Sequence, residues 1–136
     1  MVQELVVSDR LTDEMITAGS ELIAALDDAR VPISGAFWLY QGDSEKWRLV
    51  VVSTRVKKYG PLKVYTDIER VLAQSAAPKK LFLSDIKVLE TNARLFSSIR
   101  KAVGSEADVA GLRLTKRALD GQYIDDAYVY RLKKAR

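Results

Sequence analysis

The sequence predicts one α+β domain spanning residues 1–136, with about five strands, largely antiparallel, and three helices in the order α-β-β-α-β-α-β-β. Three observations lead to this prediction. Two pairs of extended segments are joined by turn-forming residues, three segments repeat apolar residues at helical spacing, and the helices are interspersed between the strands. The length suits a single domain, and no linker divides the chain.

A first helix is predicted from about residue 13 to residue 29. Thr12 can cap its N-terminus, Asp13 and Glu14 suit the positive end of the helix dipole, and Val31 followed by Pro32 stops it. Its apolar stripe comprises Met15, Ala18, Leu22, Ala25, Leu26 and Ala29. We therefore expect this helix to pack on the core.

Residues 33–41 and 47–54 are predicted to form a hairpin in which Tyr40 faces Trp47. Both faces of this pair are apolar, so it should be central in the sheet and covered on each side by helices or by another subunit. One face carries Trp38, Tyr40 and Trp47. We expect three short helices to leave this aromatic face partly exposed, which makes these three residues candidate interface residues of at least a dimer.

The middle of the chain is predicted to contain a basic loop, a helix, a strand and another helix. The loop at residues 55–59 leads to Pro61, which suits the first position of a helix through residue 74. A strand at residues 81–89 and a helix capped by Asn92 follow. The inward residues of the two helices are Leu62, Tyr65, Ile68 and Leu72 in one, and Leu95, Phe96, Ile99 and Val103 in the other.

A second hairpin is predicted around Asp120 and Gly121, which favour a two-residue type I′ turn. This turn sets a register in which Arg113 faces Tyr128, Arg117 faces Ile124 and Lys116 faces Asp125. Strict alternation then places Leu112, Leu114, Tyr123, Ala127 and Val129 on one face with Lys116 and Asp125. The opposite face carries Arg113, Arg117, Asp126, Tyr128 and Tyr130.

The amino-acid composition excludes several classes of catalytic and metal site. Histidine and cysteine are absent, which removes catalytic triads, thiolate nucleophiles and most transition-metal sites, so we expect no cofactor and no metal. No apolar run is long enough to span a bilayer, and the N-terminus lacks a secretory leader, so we expect a cytoplasmic protein without a membrane partner.

Charge is divided unevenly along the chain. Residues 1–45 carry nine acids and two bases, whereas residues 46–136 carry twenty bases and nine acids. Either the bases form a phosphate-binding surface, or the acidic first helix lies against basic strands of its own fold or of a second copy.

Two short patterns resemble catalytic fragments. Asp85 and Lys87 are spaced like the acid-x-lysine fragment of metal-dependent nucleases, but the preceding strand has no acid to complete a metal site. Lys116 and Asp125 form a predicted cross-strand ion pair. Polar residues on a solvated strand face explain the first pattern without catalysis, and an ordinary cross-strand pair explains the second.

Bases interleaved with aromatic residues favour nucleic-acid binding, because Lys and Arg neutralise phosphates and tyrosines stack on bases. Further bases, including Lys133, follow in the C-terminal tail. The candidate residues are Arg55, Lys57, Lys58, Tyr59, Arg113, Arg117, Tyr128 and Arg131.

Residues 36–40 (AFWLY), 47–50 (WRLV) and 123–131 (YIDDAYVYR) resemble segments of a group of small bacterial proteins of unassigned function. The resemblance implies a bacterial, cytoplasmic protein and assigns no activity. Together with the missing catalytic groups, it leads us to expect a non-catalytic, self-associating interaction module whose partner is a protein or a nucleic acid. The alternative is a metal-dependent nucleic-acid-processing enzyme.

Overall fold

Five strands form one mixed sheet in the order β3-β2-β1-β5-β4. The computed structural model describes residues 10–42, 45–74, 81–103, 111–119 and 121–133. The strands are β1 (Gly35–Gln41), β2 (Lys46–Val52), β3 (Ile86–Leu89), β4 (Leu112–Leu119) and β5 (Gln122–Leu132). Three of the four strand pairs are antiparallel, and only β2 and β3 run parallel. The predicted α+β class and largely antiparallel sheet are therefore confirmed.

The described residues contain four α-helices, one more than predicted. They are α1 (Asp13–Asp28), α2 (Arg55–Tyr59), α3 (Pro61–Gln74) and α4 (Arg94–Val103). The additional helix is α2, in the segment predicted as a basic loop. Its start is supported by Ser53, whose Oγ accepts a hydrogen bond from the Arg55 backbone N–H at 3.2 Å. It ends at Gly60, which has a positive φ of 91° and donates its N–H to the Val56 carbonyl.

The helix α1 packs on one face of the sheet together with α3, and begins as predicted. The Thr12 hydroxyl accepts from the Met15 backbone N–H at 3.1 Å. On this face the aromatic side chains predicted to be exposed are covered within one chain, since Trp38 is 1% exposed and Trp47 is 4% exposed. Tyr40 stays partly buried, with its ring 5.4 Å from that of Trp47. The exposed aromatic face from which a dimer was predicted is therefore not present.

A buried phenol joins α1 to the sheet. The Tyr130 hydroxyl donates to the Ile16 carbonyl at 2.6 Å and accepts from Nε1 of Trp38 at 3.0 Å. Burial raises the pKa of this phenol well above its ordinary value. Gly19 makes room for the contact, because a β-carbon there would overlap the Tyr130 hydroxyl oxygen.

The opposite face of the sheet is covered by α4. Phe96 and Ile99 of this helix are fully buried, as predicted, in a cluster with side chains of β1, β2, β4 and β5. Sheet residues in this cluster include Phe37, Leu39, Val50, Leu114 and Val129. None of the helices in the described part of the chain has both the length and the apolar character that crossing a bilayer requires.

The register of the second hairpin is confirmed, but its faces change partway along. Arg113 faces Tyr128 and Arg117 faces Ile124, as predicted, although Asp120 of the turn lies outside the described residues. Lys116 has a left-handed φ of 49°, which interrupts the alternation of side chains. Ile124 therefore points into the α4 cluster, and Tyr123, which was predicted to share that face, is 55% exposed.

Three smaller predictions also differ from the structure. The helix α3 buries Val64, Ile68 and Val71, whereas Leu62 at its first turn is exposed. The third strand begins only at Ile86, because a 3₁₀ turn occupies Leu83–Asp85. The helix predicted to be capped by Asn92 begins at Arg94, one residue later than that cap implies.

Candidate functional site

A cleft of about 1070 Å³ opens at the end of the sheet where β1 begins and where β2 and β5 finish. Among the described residues that line it, five are cationic and one, Asp27, is acidic. The cationic residues are Arg30, Arg55, Lys58, Lys63 and Lys133. We call the cavity that these residues line the cationic cleft. Tyr59 also lines it.

One wall of the cationic cleft is formed by the C-terminal end of α1. The Val31 N–H donates to the Leu26 carbonyl at 2.9 Å, and the Arg30 N–H donates to the Asp27 carbonyl at 3.0 Å. This pair of bonds is the Schellman motif, whose left-handed position is usually a glycine. Here it is Arg30, with φ of 63°. A strained backbone therefore carries a cationic side chain at the cleft.

The floor on the α3 side is an ion-pair network around Asp67, which is 3% exposed. Arg55 donates to its carboxylate at 2.8 Å and Lys63 at 3.0 Å, and Arg55 also donates to the Arg30 carbonyl at 3.3 Å. Burial acts to raise the pKa of Asp67, but the hydrogen bonds from Lys63 and Arg55 outweigh it and hold that pKa below its ordinary value. This network fixes Arg55 and Lys63 in place.

The acidic member of the cationic cleft is neutralised by β5. Both terminal guanidinium nitrogens of Arg131 donate to the Asp27 carboxylate, at 3.0 and 2.8 Å. These bonds hold the pKa of Asp27 below its ordinary value against the opposing effect of partial burial, and the charge of Lys133 acts in the same direction. Here the acidic first helix does lie against a basic strand of its own fold. Arg131, predicted to contact nucleic acid, is thereby committed to an internal ion pair.

Three of the cleft's cations, Arg30, Lys58 and Lys133, form no ion pair with any carboxylate that the structure describes. The Lys58 ammonium lies 5.4 Å from the centre of the Tyr59 ring. Tyr59 itself is 57% exposed. The cleft thus presents positive charge and an aromatic ring to solvent together.

The remaining predicted nucleic-acid residues lie elsewhere. Arg113 forms a bidentate pair with Asp126 at 2.6 and 2.7 Å, on the face where Tyr128 packs against the core residues beneath α1 and α3. Arg117 faces Ile124, whose side chain belongs to the α4 cluster. Directly opposed residues share a face, so Arg113 and Arg117 lie on opposite faces of the sheet and not on the one face predicted for both.

Lys57 is on α2 but does not line the cationic cleft, whereas Arg55, Lys58 and Tyr59 do. Sequence reasoning missed Arg30 and Lys63. Arg30 follows the first helix directly before Val31 and Pro32, where a base near a helix C-terminus is unremarkable. Lys63 precedes Asp67 by four residues, a spacing that pairs side chains on a helix and could have indicated their contact.

The two fragments that resembled catalytic patterns have local roles. Asp85 accepts from the Phe82 backbone N–H at 3.0 Å and lies 3.9 Å from the Lys46 ammonium. Asp125 accepts from the Gly42 N–H at 2.7 Å, and no ion pair joins it to Lys116. Among the described residues, no three carboxylates gather in a group that could hold a metal ion.

No protein-family model, curated protein or solved structure matches this chain. The candidate site therefore stands on the geometry of the cationic cleft.

Proposed function

We propose that the protein is a non-catalytic interaction module that binds a nucleic acid through its phosphates at the cationic cleft. One observation carries this proposal: among the described residues that line this cleft, five are cationic, and the one acidic residue, Asp27, is already paired with Arg131. Such a cleft attracts polyanions, and each phosphate that it neutralises releases condensed counterions.

The distribution of ion pairs supports the same conclusion. Arg55 and Lys63 are held by Asp67, so they keep the shape of the cleft. Lys58, Lys133 and Arg30 pair with no described carboxylate, so a phosphate can engage them without breaking an internal ion pair. Binding therefore requires little rearrangement of the fold, which favours affinity.

The test is a titration of a fluorescent oligonucleotide at several salt concentrations. The cleft variant Lys58→Gln with Lys133→Gln should bind more weakly, and its log–log salt dependence should be shallower by about 0.7 to 0.9 per lost contact. The matched control is Lys116→Gln with Arg117→Gln, which removes the same charge from exposed positions on β4 outside the cleft. Equal weakening by both variants would show non-specific attraction, and no binding at low salt would refute the proposal.

Self-association and a cytoplasmic location also belong to the proposal. With Trp38 and Trp47 buried, a candidate contact for self-association is the outer edge of β4, since an edge strand offers backbone groups for pairing with another chain. Lys116 and Arg117 on that strand act against such pairing. Sedimentation at tens of micromolar should show at least a dimer, and a monomer would remove self-association from the proposal.

The alternative, a metal-dependent nucleic-acid-processing enzyme, has no arrangement of described residues in its favour. Cleavage of DNA or RNA that depends on magnesium or manganese and is abolished by Asp85→Ala or Asp125→Ala would establish it over the non-catalytic proposal.

A further inference from the structure

Tyr59 has an unusual position for a large aromatic residue. It is the last residue of α2, and Gly60 turns the chain away immediately after it, so no further helical turn covers the ring. More than half of its surface is exposed, yet it lines the cationic cleft beside the Lys58 ammonium. Exposed aromatic rings beside cations are the combination with which proteins bind single strands, because the ring stacks on a base while the cations hold the phosphates.

The size and shape of the cleft favour the same class of ligand. Its volume of about 1070 Å³ is just above the range of roughly 300–1,000 Å³ that is typical of clefts that enclose drug-sized ligands. A short stretch of flexible single strand has that scale. In a duplex each base is already stacked between its neighbours, so its face is not free for Tyr59.

The number of cations indicates a strand rather than a nucleoside monophosphate. Five cationic residues line the cleft, and two of them, Arg55 and Lys63, share the one negative charge of Asp67. Three are left for the ligand, which is more charge than one nucleoside monophosphate supplies. Successive phosphates of an oligonucleotide supply one negative charge each.

We infer that the cationic cleft takes single-stranded nucleic acid in preference to duplex, with Tyr59 as the ring on which a base stacks. This inference rests on the proposed function, because only a strand held by its phosphates brings a base to Tyr59. The stacking is indifferent to sequence, since every base has a face that can stack.

The test compares ligands and variants in one anisotropy assay. A labelled single strand of about 12 nucleotides, within the site sizes of known single-strand binders, is measured against its duplex, with a mononucleotide and inorganic polyphosphate as competitors. The wild-type chain should prefer the single strand. Tyr59→Ala should weaken single-strand binding by about 5- to 150-fold, the range that loss of one stacked base produces. Tyr59→Phe should retain binding, because the ring remains.

The matched control is Tyr123→Ala. Tyr123 is as exposed as Tyr59, at 55% against 57%, but does not line the cleft, so its removal should leave binding unchanged. The dissociation constant of polyphosphate, which has no bases, should be equal for the wild type and Tyr59→Ala once the weaker binding of the labelled strand by the variant is taken into account.

The outcomes separate this inference from the proposed function. If Tyr59→Ala binds the single strand normally while Lys58→Gln with Lys133→Gln does not, the inference that a base stacks on Tyr59 is wrong. The proposal that the cationic cleft binds phosphates would then remain. Tighter binding of the duplex, or of the mononucleotide, also overturns the inference. If no nucleic acid binds, both the inference and the proposed function fail. If the protein then binds anionic vesicles, and Leu62→Ser abolishes that binding, the exposed Leu62 and the cleft would be assigned to a lipid surface instead.

Discussion

Replacing Arg30 by glycine should make the protein more stable and its ligand binding weaker. Arg30 occupies the left-handed position of the turn that ends α1, with φ of 63°, and its side chain lines the cationic cleft. Glycine adopts that backbone conformation without steric cost and is the usual residue there. The substitution therefore relieves strain and removes a cation in one step.

The magnitude follows from two opposing effects. A left-handed conformation costs an L-residue roughly 1–2 kcal/mol, and glycine avoids that cost. Glycine also loses more backbone entropy on folding, roughly 0.5–1 kcal/mol relative to alanine. The free energy of unfolding should therefore rise by about 0.5–1 kcal/mol, which in a chain of this length raises Tm by about 2–4 °C. Loss of one phosphate contact should make the salt dependence of single-strand binding shallower by about 0.7.

Thermal melts and oligonucleotide titrations of four variants separate strain from charge. Arg30→Ala removes the charge but keeps the β-carbon, so it should bind weakly without the gain in Tm. Arg30→Lys should retain both the original Tm and most of the binding. Lys116→Gly is the matched control, because Lys116 also has a positive φ, of 49°, and lies outside the cleft. It should gain stability and bind normally.

Two results would refute this reasoning. If Arg30→Gly and Arg30→Ala melt at the same temperature, the left-handed backbone carries no strain that glycine relieves. If Arg30→Gly keeps the salt dependence of the wild type, Arg30 does not contact the ligand, whatever its position at the cleft.

Three further predictions concern the residues that shape the cleft. Asp67→Asn should lower the free energy of unfolding by about 1–3 kcal/mol, because the hydrogen bonds from Arg55 lose their charged acceptor, and should strengthen oligonucleotide binding by freeing that cation. Because the folded-state pKa values of Asp27 and Asp67 are lowered, their contribution to stability is present above the unfolded pKa of about 3.9 and is lost as pH falls through the lower folded values; melts between pH 6 and pH 2 should show this loss, and Asp67→Asn should reduce it. Gly19→Ala should destabilise by about 1–3 kcal/mol despite the higher helix propensity of alanine, and Tyr130→Phe should recover part of the loss; additive effects in the double variant would contradict the predicted overlap.

Elements with a local signal were predicted well. Thr12 caps α1 through a bond to a residue three positions away, and Pro61 begins α3 as expected. The register of both hairpins followed from sequence, with Tyr40 facing Trp47 and Arg113 facing Tyr128. Caps, turns and short-range pairing act between residues close in the chain, so the sequence carries them directly.

Predictions that required strict periodicity failed where the backbone departs from it. The left-handed conformation of Lys116 reverses which side chains of β4 and β5 point to each face of the sheet beyond that residue. Tyr123 is therefore exposed, and Arg117 lies on the other face of the sheet from Arg113. Lysine gives no sign of such a conformation, because it is not a residue that prefers positive φ. The helix α2 was missed because its five residues are too few for a periodic pattern.

The amino-acid sequence by itself determined the α+β class, the order of the strands along the chain, their hairpin registers and the absence of histidine and cysteine chemistry. Only the tertiary structure decided that Trp38 and Trp47 are buried within one chain and that cations from α1, α2, α3 and the end of β5 converge. Arg30 and Lys133 are separated by about a hundred residues, and no local pattern relates them. Their meeting depends on how helices pack across a sheet, which is set by the fit of the whole core rather than by any short segment.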